Sequence, residues 1–279
     1  MERKLIKIHR GTRDDIADLK TTRALPTERL PHLDPFLFLN HHGPQVYPPG
    51  NHGLPFGPHP HRGFETLTVI LDGDILHADS AGHESVIRGG GVQWMTAGSG
   101  LIHSETSSRD FRKAGGPLEI LQLWINLPAK LKLTEPRYVG LQREEVPRVT
   151  GAGYEVQVIS GSFRGTPGSI KSLTGIEMST VFLEAGASLT LQAPEGRRVF
   201  FYVVRGEVRI GDEEVRGFEL AEFSAEGEDI TLRALSKTVV FFGHGEVIGE
   251  PVVSYGPFVM NTEQEIRQAI RDYQSGRFR

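Results

Sequence analysis

The sequence contains no cysteine among its 279 residues. Disulfide bonds, thiolate metal ligands and a thiol nucleophile are therefore excluded, and any metal site must be built from His, Asp or Glu. An excess of one charge is also missing, because 31 basic and 35 acidic residues are mixed along the chain. Neither nucleic acid nor an anionic membrane is therefore expected as a direct partner.

Long apolar runs are missing as well. No stretch approaches the roughly 18 to 20 apolar residues that a membrane span needs, and residues 1–20 lack the apolar core of a signal peptide. We therefore expect a cytoplasmic protein with no membrane segment.

Glycine and proline, by contrast, are plentiful, with 33 and 17 residues spread between short apolar runs. Runs bounded in this way are typical of strands joined by turns, so the sequence predicts an all-β protein. The predicted strands include residues 67–71, 120–125, 154–159, 181–183, 199–204, 230–232 and 238–242.

One helix is predicted, near the C-terminal end. Thr262 and Glu265 have the spacing of a capping box, and Ile266, Ala269 and Tyr273 follow at helical spacing. This pattern predicts an amphipathic helix over residues 263–274, packed on a sheet.

The chain contains an internal repeat. The segment 69–75 reads as strand, acidic-Gly turn and strand, and 202–208 repeats the scheme 133 residues later. Two related β domains follow as a hypothesis. We place them at 1–135 and 136–279, with a charged, proline-containing connection over 127–149.

Two histidines one residue apart, His59 and His61, stand in the sequence PHPHRGFE. On a strand, residues i and i+2 point the same way, so both imidazoles would converge on one point. His103 and Glu105 repeat this spacing about 40 residues later. Facing strands would then supply three nitrogens and one carboxylate, which leaves two positions of an octahedron open, as in non-haem iron oxygenases.

The spacing leaves the carboxylate ligand open. If the strand continues, Glu65 shares the parity of His61, so Glu65 and Glu105 are both candidates. The offset of 133 places Gln192 opposite His59 and Pro194 opposite His61, so the second copy has lost the polar cluster. The other nearby histidines have simpler interpretations: loop residues at His41 and His42, and exposed or turn residues at His52, His77 and His83.

Several blocks in a fixed order resemble the pirin family, a branch of the cupin superfamily. Two of them, HPHRGFET and QWMTAG, begin at His59 and Gln93. The others are LDPFL from Leu33, LQLWINL from Leu121, VISG from Val158 and GPFVMNT from Gly256.

The resemblance implies a bicupin: two antiparallel β-barrels of jelly-roll type, with a metal in the N-terminal barrel alone and a short C-terminal helix. It implies that Fe(2+) is held by His59, His61, His103 and Glu105, with Glu65 left out of the ligand set. Zinc, nickel, copper, manganese and cobalt are alternative metals, and a monomer is expected.

The resemblance also implies two functions. Some pirin-like proteins resemble quercetin 2,3-dioxygenases, which open a flavonol with dioxygen and release carbon monoxide; Glu105 would then be the catalytic residue that accepts the hydroxyl proton. Others resemble iron-dependent transcriptional co-regulators that bind a protein partner. A third hypothesis is isomerase or hydrolase chemistry with zinc or nickel. We favour the dioxygenase, because open coordination positions beside a carboxylate suit that reaction.

Overall fold

The computed structural model describes residues 1–278, which form 26 strands and two α-helices. The all-β prediction is confirmed. The strands are β1 (Leu5–Arg10), β2 (Thr12–Arg13), β3 (Thr21–Leu25), β4 (Phe36–Tyr47), β5 (Phe56–His61), β6 (Phe64–Asp72), β7 (Asp74–Asp79), β8 (Glu84–Arg88), β9 (Val92–Thr96), β10 (Leu101–Thr106), β11 (Gly116–Asn126), β12 (Arg137–Leu141) and β13 (Arg148–Gly151). They continue with β14 (Tyr154–Ser160), β15 (Ser162–Phe163), β16 (Thr166–Pro167), β17 (Glu177–Leu183), β18 (Ser188–Gln192), β19 (Arg198–Arg205), β20 (Glu207–Ile210), β21 (Glu213–Arg216), β22 (Glu219–Phe223), β23 (Asp229–Ala234), β24 (Thr238–Gly245), β25 (Val253–Tyr255) and β26 (Phe258–Met260).

The chain folds into two compact units that interleave in sequence. The first-barrel unit contains 13–22, 36–144 and the chain from Ile248 onward, and the second-barrel unit contains 1–12, 23–35 and 145–247. A single boundary at residue 135 differs from this division in two ways. The predicted connection supplies β12, which pairs with β9 in the first-barrel unit, and the C-terminal helix belongs to that same unit.

The first-barrel unit pairs two antiparallel sheets. One contains the strand order β12-β9-β6-β11-β4, and the other has the order β5-β10-β7-β8. An apolar cluster fills part of the interior, and it includes Ile70, Ile75, Ile87 and Ile120. Each such buried side chain contributes about 1.5–3 kcal/mol.

The second-barrel unit repeats this order. Its sheets contain β1-β22-β19-β24-β17 and β18-β23-β20-β21, so β5, β10 and β11 of the first unit correspond to β18, β23 and β24. This shared topology is the structural form of the sequence repeat. The interior is one continuous apolar cluster, to which Leu189, Leu191, Phe201, Ile230 and Leu232 belong.

The C-terminal helix α2 spans Glu263–Gln274, as predicted. Thr262 accepts from the backbone N–H of Glu265 and the Glu265 side chain accepts from the Thr262 backbone, which completes the capping box. The helix buries Ile266 and Ala269. A shorter helix, α1 (Arg109–Ala114), was not predicted, because six residues are too few to show helical periodicity. No helix within residues 1–278 is long and apolar enough to cross a membrane.

Candidate metal centre

The strand β5 carries two of the predicted ligands at the edge of its sheet. Pro58 and Pro60 are tolerated there because an edge strand leaves some N–H groups without a partner strand. His59 lies directly opposite His103 on β10. The His59 and His103 ring centroids are 4.4 Å apart, and those of His61 and His103 are 5.0 Å apart.

One ring nitrogen from each of His59, His61 and His103 can be chosen so that all three lie within 4.8 Å of one another. Two of the rings have a defined tautomer. Nδ1 of His59 donates to the Gly57 carbonyl at 2.8 Å, and Nδ1 of His61 donates to the Pro257 carbonyl at 3.2 Å. Because a carbonyl oxygen only accepts, Nε2 in both rings keeps its lone pair for a metal.

The His103 ring is the strongest local sign of a metal site. It is 2 % exposed, and neither ring nitrogen has a hydrogen-bond partner within residues 1–278. A buried polar group without a partner costs about 1–3 kcal/mol, and a metal ion would remove that cost at the nitrogen that binds it. Burial lowers the pKa of His103 well below its usual value, and with the nearby His59 it lowers the pKa of His61 to about 3. Both imidazoles are therefore neutral at pH 7, as metal ligands must be.

Glu105 lies two residues beyond His103 on β10 and is 1 % exposed. Its carboxylate accepts from Nε2 of Gln93, from Nε2 of Gln122 at 2.5 Å, and from the Thr68 hydroxyl at 3.4 Å. Burial outweighs these donors and raises the pKa of Glu105 to about 7. The carboxyl group is therefore poised to exchange a proton near neutral pH.

Gln93 and Gln122 are functional candidates that the sequence analysis missed. The sequence contains a pattern that could have identified them, because each is a polar residue between two apolar residues on a strand. Gln93 stands between Val92 and Trp94 on β9, and Gln122 between Leu121 and Leu123 on β11. Strand alternation turns both amides toward Glu105.

Glu65 lies on the other face of β6. Thr68, three residues later, donates to Glu105, so strand alternation turns Glu65 away from that side. The strand does not continue from His61 to Glu65, because a turn at Gly63, with φ of +89°, separates β5 from β6. The carboxylate accepts instead from the Thr96 hydroxyl at 2.7 Å, and burial raises the pKa of Glu65.

His77 is a buried strand residue, so its interpretation as an exposed or turn residue was wrong. It lies on β7 opposite Glu105, and its Nε2 is 3.0 Å from Oδ2 of Asp79. Its ring stacks on Tyr138, with centroids 3.9 Å apart, and the Tyr138 hydroxyl donates to Oε1 of Gln93 at 3.1 Å. His77 and Tyr138 thus form a wall beside Glu105.

The interpretation of His41 and His42 as loop residues was also wrong, since both are buried on β4. Nε2 of His41 is 2.8 Å from the Glu119 carboxylate, and Nδ1 of His42 is 2.9 Å from the Thr21 hydroxyl. These contacts hold β4 within its sheet. His52 and His83 are exposed, as expected.

The second barrel has apolar residues on the strands that correspond to β5 and β10, which carry the predicted ligands in the first. On β18 and β23 the paired, inward-facing residues are Leu191 with Ile230 and Leu189 with Leu232, all within the apolar core. These strands therefore correspond to β5 and β10 without their ligands. Gln192, the counterpart of His59 at an offset of 133, is exposed, whereas its neighbour Leu191 faces the core.

Two antiparallel barrels of one topology, with a histidine cluster in the first and an apolar core in the second, define a bicupin. Comparisons agree, because the chain matches the pirin family model over residues 18–125 and the pirin C-terminal cupin domain over 178–279. The chain belongs to the pirin family.

Relatives and solved structures extend this result. The Pseudomonas aeruginosa protein named "Putative quercetin 2,3-dioxygenase PA2418" is 41% identical over 250 residues, 88% of this chain and 87% of the relative. A pirin-like protein of Caulobacter vibrioides is 36% identical over 280 residues, 99% of both chains. The crystal structure of quercetin 2,3-dioxygenase from Acinetobacter baumannii is 34% identical, with a TM-score of 0.93 over 100% of this chain and 99% of that one.

Proposed function

We propose that this protein is an iron(II)-dependent dioxygenase of the quercetin 2,3-dioxygenase type, which cleaves a flavonol or a related enediol with dioxygen. In this proposal His59, His61, His103 and Glu105 hold the metal, and Glu105 is the catalytic base. The similarity to proteins that bear this name supports the reaction class.

The observation that carries the proposal is the convergence of three imidazoles, of which His61 and His103 are buried and neutral, with the buried carboxyl group of Glu105 two residues beyond His103 on β10. Nitrogen ligands of this kind suit iron, nickel, copper and zinc. One carboxylate in the set favours a site that holds a divalent ion and keeps a positive charge for an anionic substrate. When bound, iron would supply the redox chemistry with dioxygen and lower the pKa of hydroxyl groups that chelate it.

The residues of this chain supply the proton chemistry. Glu105, whose pKa burial raises to about 7, can accept the hydroxyl proton of the substrate at a carboxylate oxygen. The Gln93 and Gln122 amides keep that carboxylate in one orientation, since each donates to a different oxygen atom. Tyr138 in turn orients Gln93 through its hydroxyl group.

The test is oxygen consumption together with the loss of flavonol absorbance, measured with iron-loaded protein. Turnover is expected, and it should be lost in the His59→Ala/His61→Ala double variant. His52→Ala is the matched control, because His52 is exposed and belongs to the same unit. Equal turnover in the wild type and the double variant would reject the proposal that this site is the active site of a dioxygenase. Tight iron binding without turnover would leave an iron-dependent binding module as the function.

A further inference from the structure

The tautomer of His61 depends on a distant part of the chain. The carbonyl that accepts from His61 belongs to Pro257, 196 residues later, whereas His59 uses the carbonyl of Gly57, only two residues away. The orientation of His59 is therefore fixed within β5. That of His61 is fixed by the C-terminal segment, which we define as residues 257–278.

The C-terminal segment is attached to the residue that follows His61. The Val259 N–H donates to the Arg62 carbonyl at 3.1 Å. The Arg62 guanidinium donates to Oδ2 of Asp272 at 2.8 Å and lies 4.6 Å from the centre of the Phe278 ring. Arg62 is 7 % exposed and Asp272 is 9 % exposed, so solvent screens this ion pair little.

A second attachment lies one residue further along. The Lys132 ammonium donates to the Gly63 carbonyl at 2.9 Å and to the Val259 carbonyl at 3.1 Å. A Cβ at position 63 would collide with the Val259 carbonyl oxygen, so only glycine permits this approach. The residues after His61 and the strand after Pro257 are thus held together from both sides.

Asp272 is the charged anchor of this arrangement. One carboxylate oxygen accepts from Arg62, and the other accepts from Gln268 at 2.7 Å and from Arg277 at 2.9 Å. Without Asp272, the buried Arg62 guanidinium would lose its carboxylate partner, and the contact between Arg62 and the C-terminal segment would weaken.

We propose that Asp272 is a positioning residue for His61: through Arg62 it holds the Pro257 carbonyl against Nδ1, which directs Nε2 toward the metal. This inference rests on the proposed metal site. It extends that site to the C-terminal helix, which contributes no ligand of its own.

The test compares Asp272→Ala with Glu263→Ala, which removes an exposed carboxylate from the first turn of the same helix. Iron(II) affinity is measured anaerobically by competition with a colorimetric chelator. We expect about 10- to 100-fold weaker binding for Asp272→Ala, as is typical when a partner of a metal ligand is removed, and no change for Glu263→Ala. Nitrogen chemical shifts of labelled histidine should show the Nδ1–H tautomer of His61 in the metal-free wild type and a mixture in Asp272→Ala.

A purely structural role would lower the melting temperature of Asp272→Ala but leave the affinity and the tautomer unchanged, and that result would overturn the inference. If Asp272→Ala does not fold, Asp272→Asn takes its place. It keeps an acceptor without the charge, so we expect an affinity loss of about 3-fold or more, because hydrogen bonds to charged groups are roughly twice as strong as neutral ones. A wild-type protein that binds no iron would instead reject the proposed function itself.

Discussion

The two barrels have the same strand order but opposite interiors. In the first, the strands β5 and β10 turn His59, His61, His103 and Glu105 inward. In the second, β18 and β23 turn leucine and isoleucine inward, into a large apolar cluster. One topology therefore supports either a packed core or a polar site, depending on the residues at a few inward positions.

This difference indicates that the second barrel contributes mainly to stability, whereas the first contains the candidate functional site. Apolar side chains inside the second barrel contribute burial energy at the positions that correspond to the ligands of the first. The first barrel gives up that contribution at its histidines. An apolar cluster that includes Ile70 and Ile120 fills another part of its interior, and the Pro257 carbonyl of the C-terminal segment accepts from His61. Four changes test this contrast, beginning with the one expected to have the largest effect.

Removal of His103 should abolish the metal site. In His103→Ala we expect metal content to fall from about one ion per chain to almost none, because even residues that only orient a metal ligand contribute about 10- to 100-fold to affinity. Elemental analysis after purification and chelator competition provide the measurement. Ile230→Ala, on the corresponding strand of the second barrel, should retain the metal. Full metal content in His103→Ala would contradict the site.

Removal of an inward leucine from the second barrel should affect stability alone. Leu191 is fully buried, so Leu191→Ala should lower the free energy of unfolding by about 2–5 kcal/mol through lost transfer energy and the cavity that remains. Urea unfolding measures this loss, and elemental analysis should show unchanged metal content. A loss of metal in this variant would mean that the two interiors are energetically coupled.

His244, a buried histidine on β24 of the second barrel, should make the protein sensitive to acid. Burial, followed by the nearby Arg197 and Arg3, lowers the pKa of His244 from 6.5 to about 3. The unfolded state therefore binds more protons between these values, and stability is lost as the pH falls from 6.5 toward 3, on the order of a few kcal/mol.

His244→Gln should flatten this dependence, because glutamine does not titrate. The measurement is urea unfolding at pH 4 and pH 7, with His52→Gln as the control for loss of an exposed histidine. His61 and His103 act in the same direction, so the difference between the variant and the wild type isolates His244. Identical pH profiles would show that His244 is not the sensor.

The smallest effect is expected at the carboxyl group on the outer face of β6. Glu65→Gln should change iron affinity by less than about 3-fold, whereas Glu105→Gln should weaken it by about 10-fold or more. Chelator competition compares the two variants directly. The reverse order would assign the carboxylate ligand to Glu65.

The sequence alone predicts those features that depend on a repeating pattern of neighbouring residues. The strands, the helix at Glu263–Gln274 and the shared orientation of His59 with His61 all follow from patterns within a few residues. The repeat identified the second barrel because corresponding turns carry similar residues.

The predictions made from the sequence were incomplete or wrong where the position of a residue depends on which strands pair. The spacing alone left Glu65 and Glu105 both open as the carboxylate ligand, because the sequence does not show that a turn at Gly63 interrupts the strand between His61 and Glu65. The burial of His77 depends on its pairing with β10, which the residues around it in the sequence do not show. The return of the C-terminal helix to the first-barrel unit depends on contacts across almost 200 residues, such as that between His61 and Pro257.

The aliphatic interior of the second barrel also offers a template for protein engineering. Leu191→His with Ile230→His would install two facing imidazoles at positions that correspond to β5 and β10. Without a metal, both rings would be buried with no acceptor nearby in an apolar core, so the redesigned barrel would lose stability. Folding of that half of the protein would then depend on the supply of a divalent ion, and the concentration of that ion would act as an external control on its assembly.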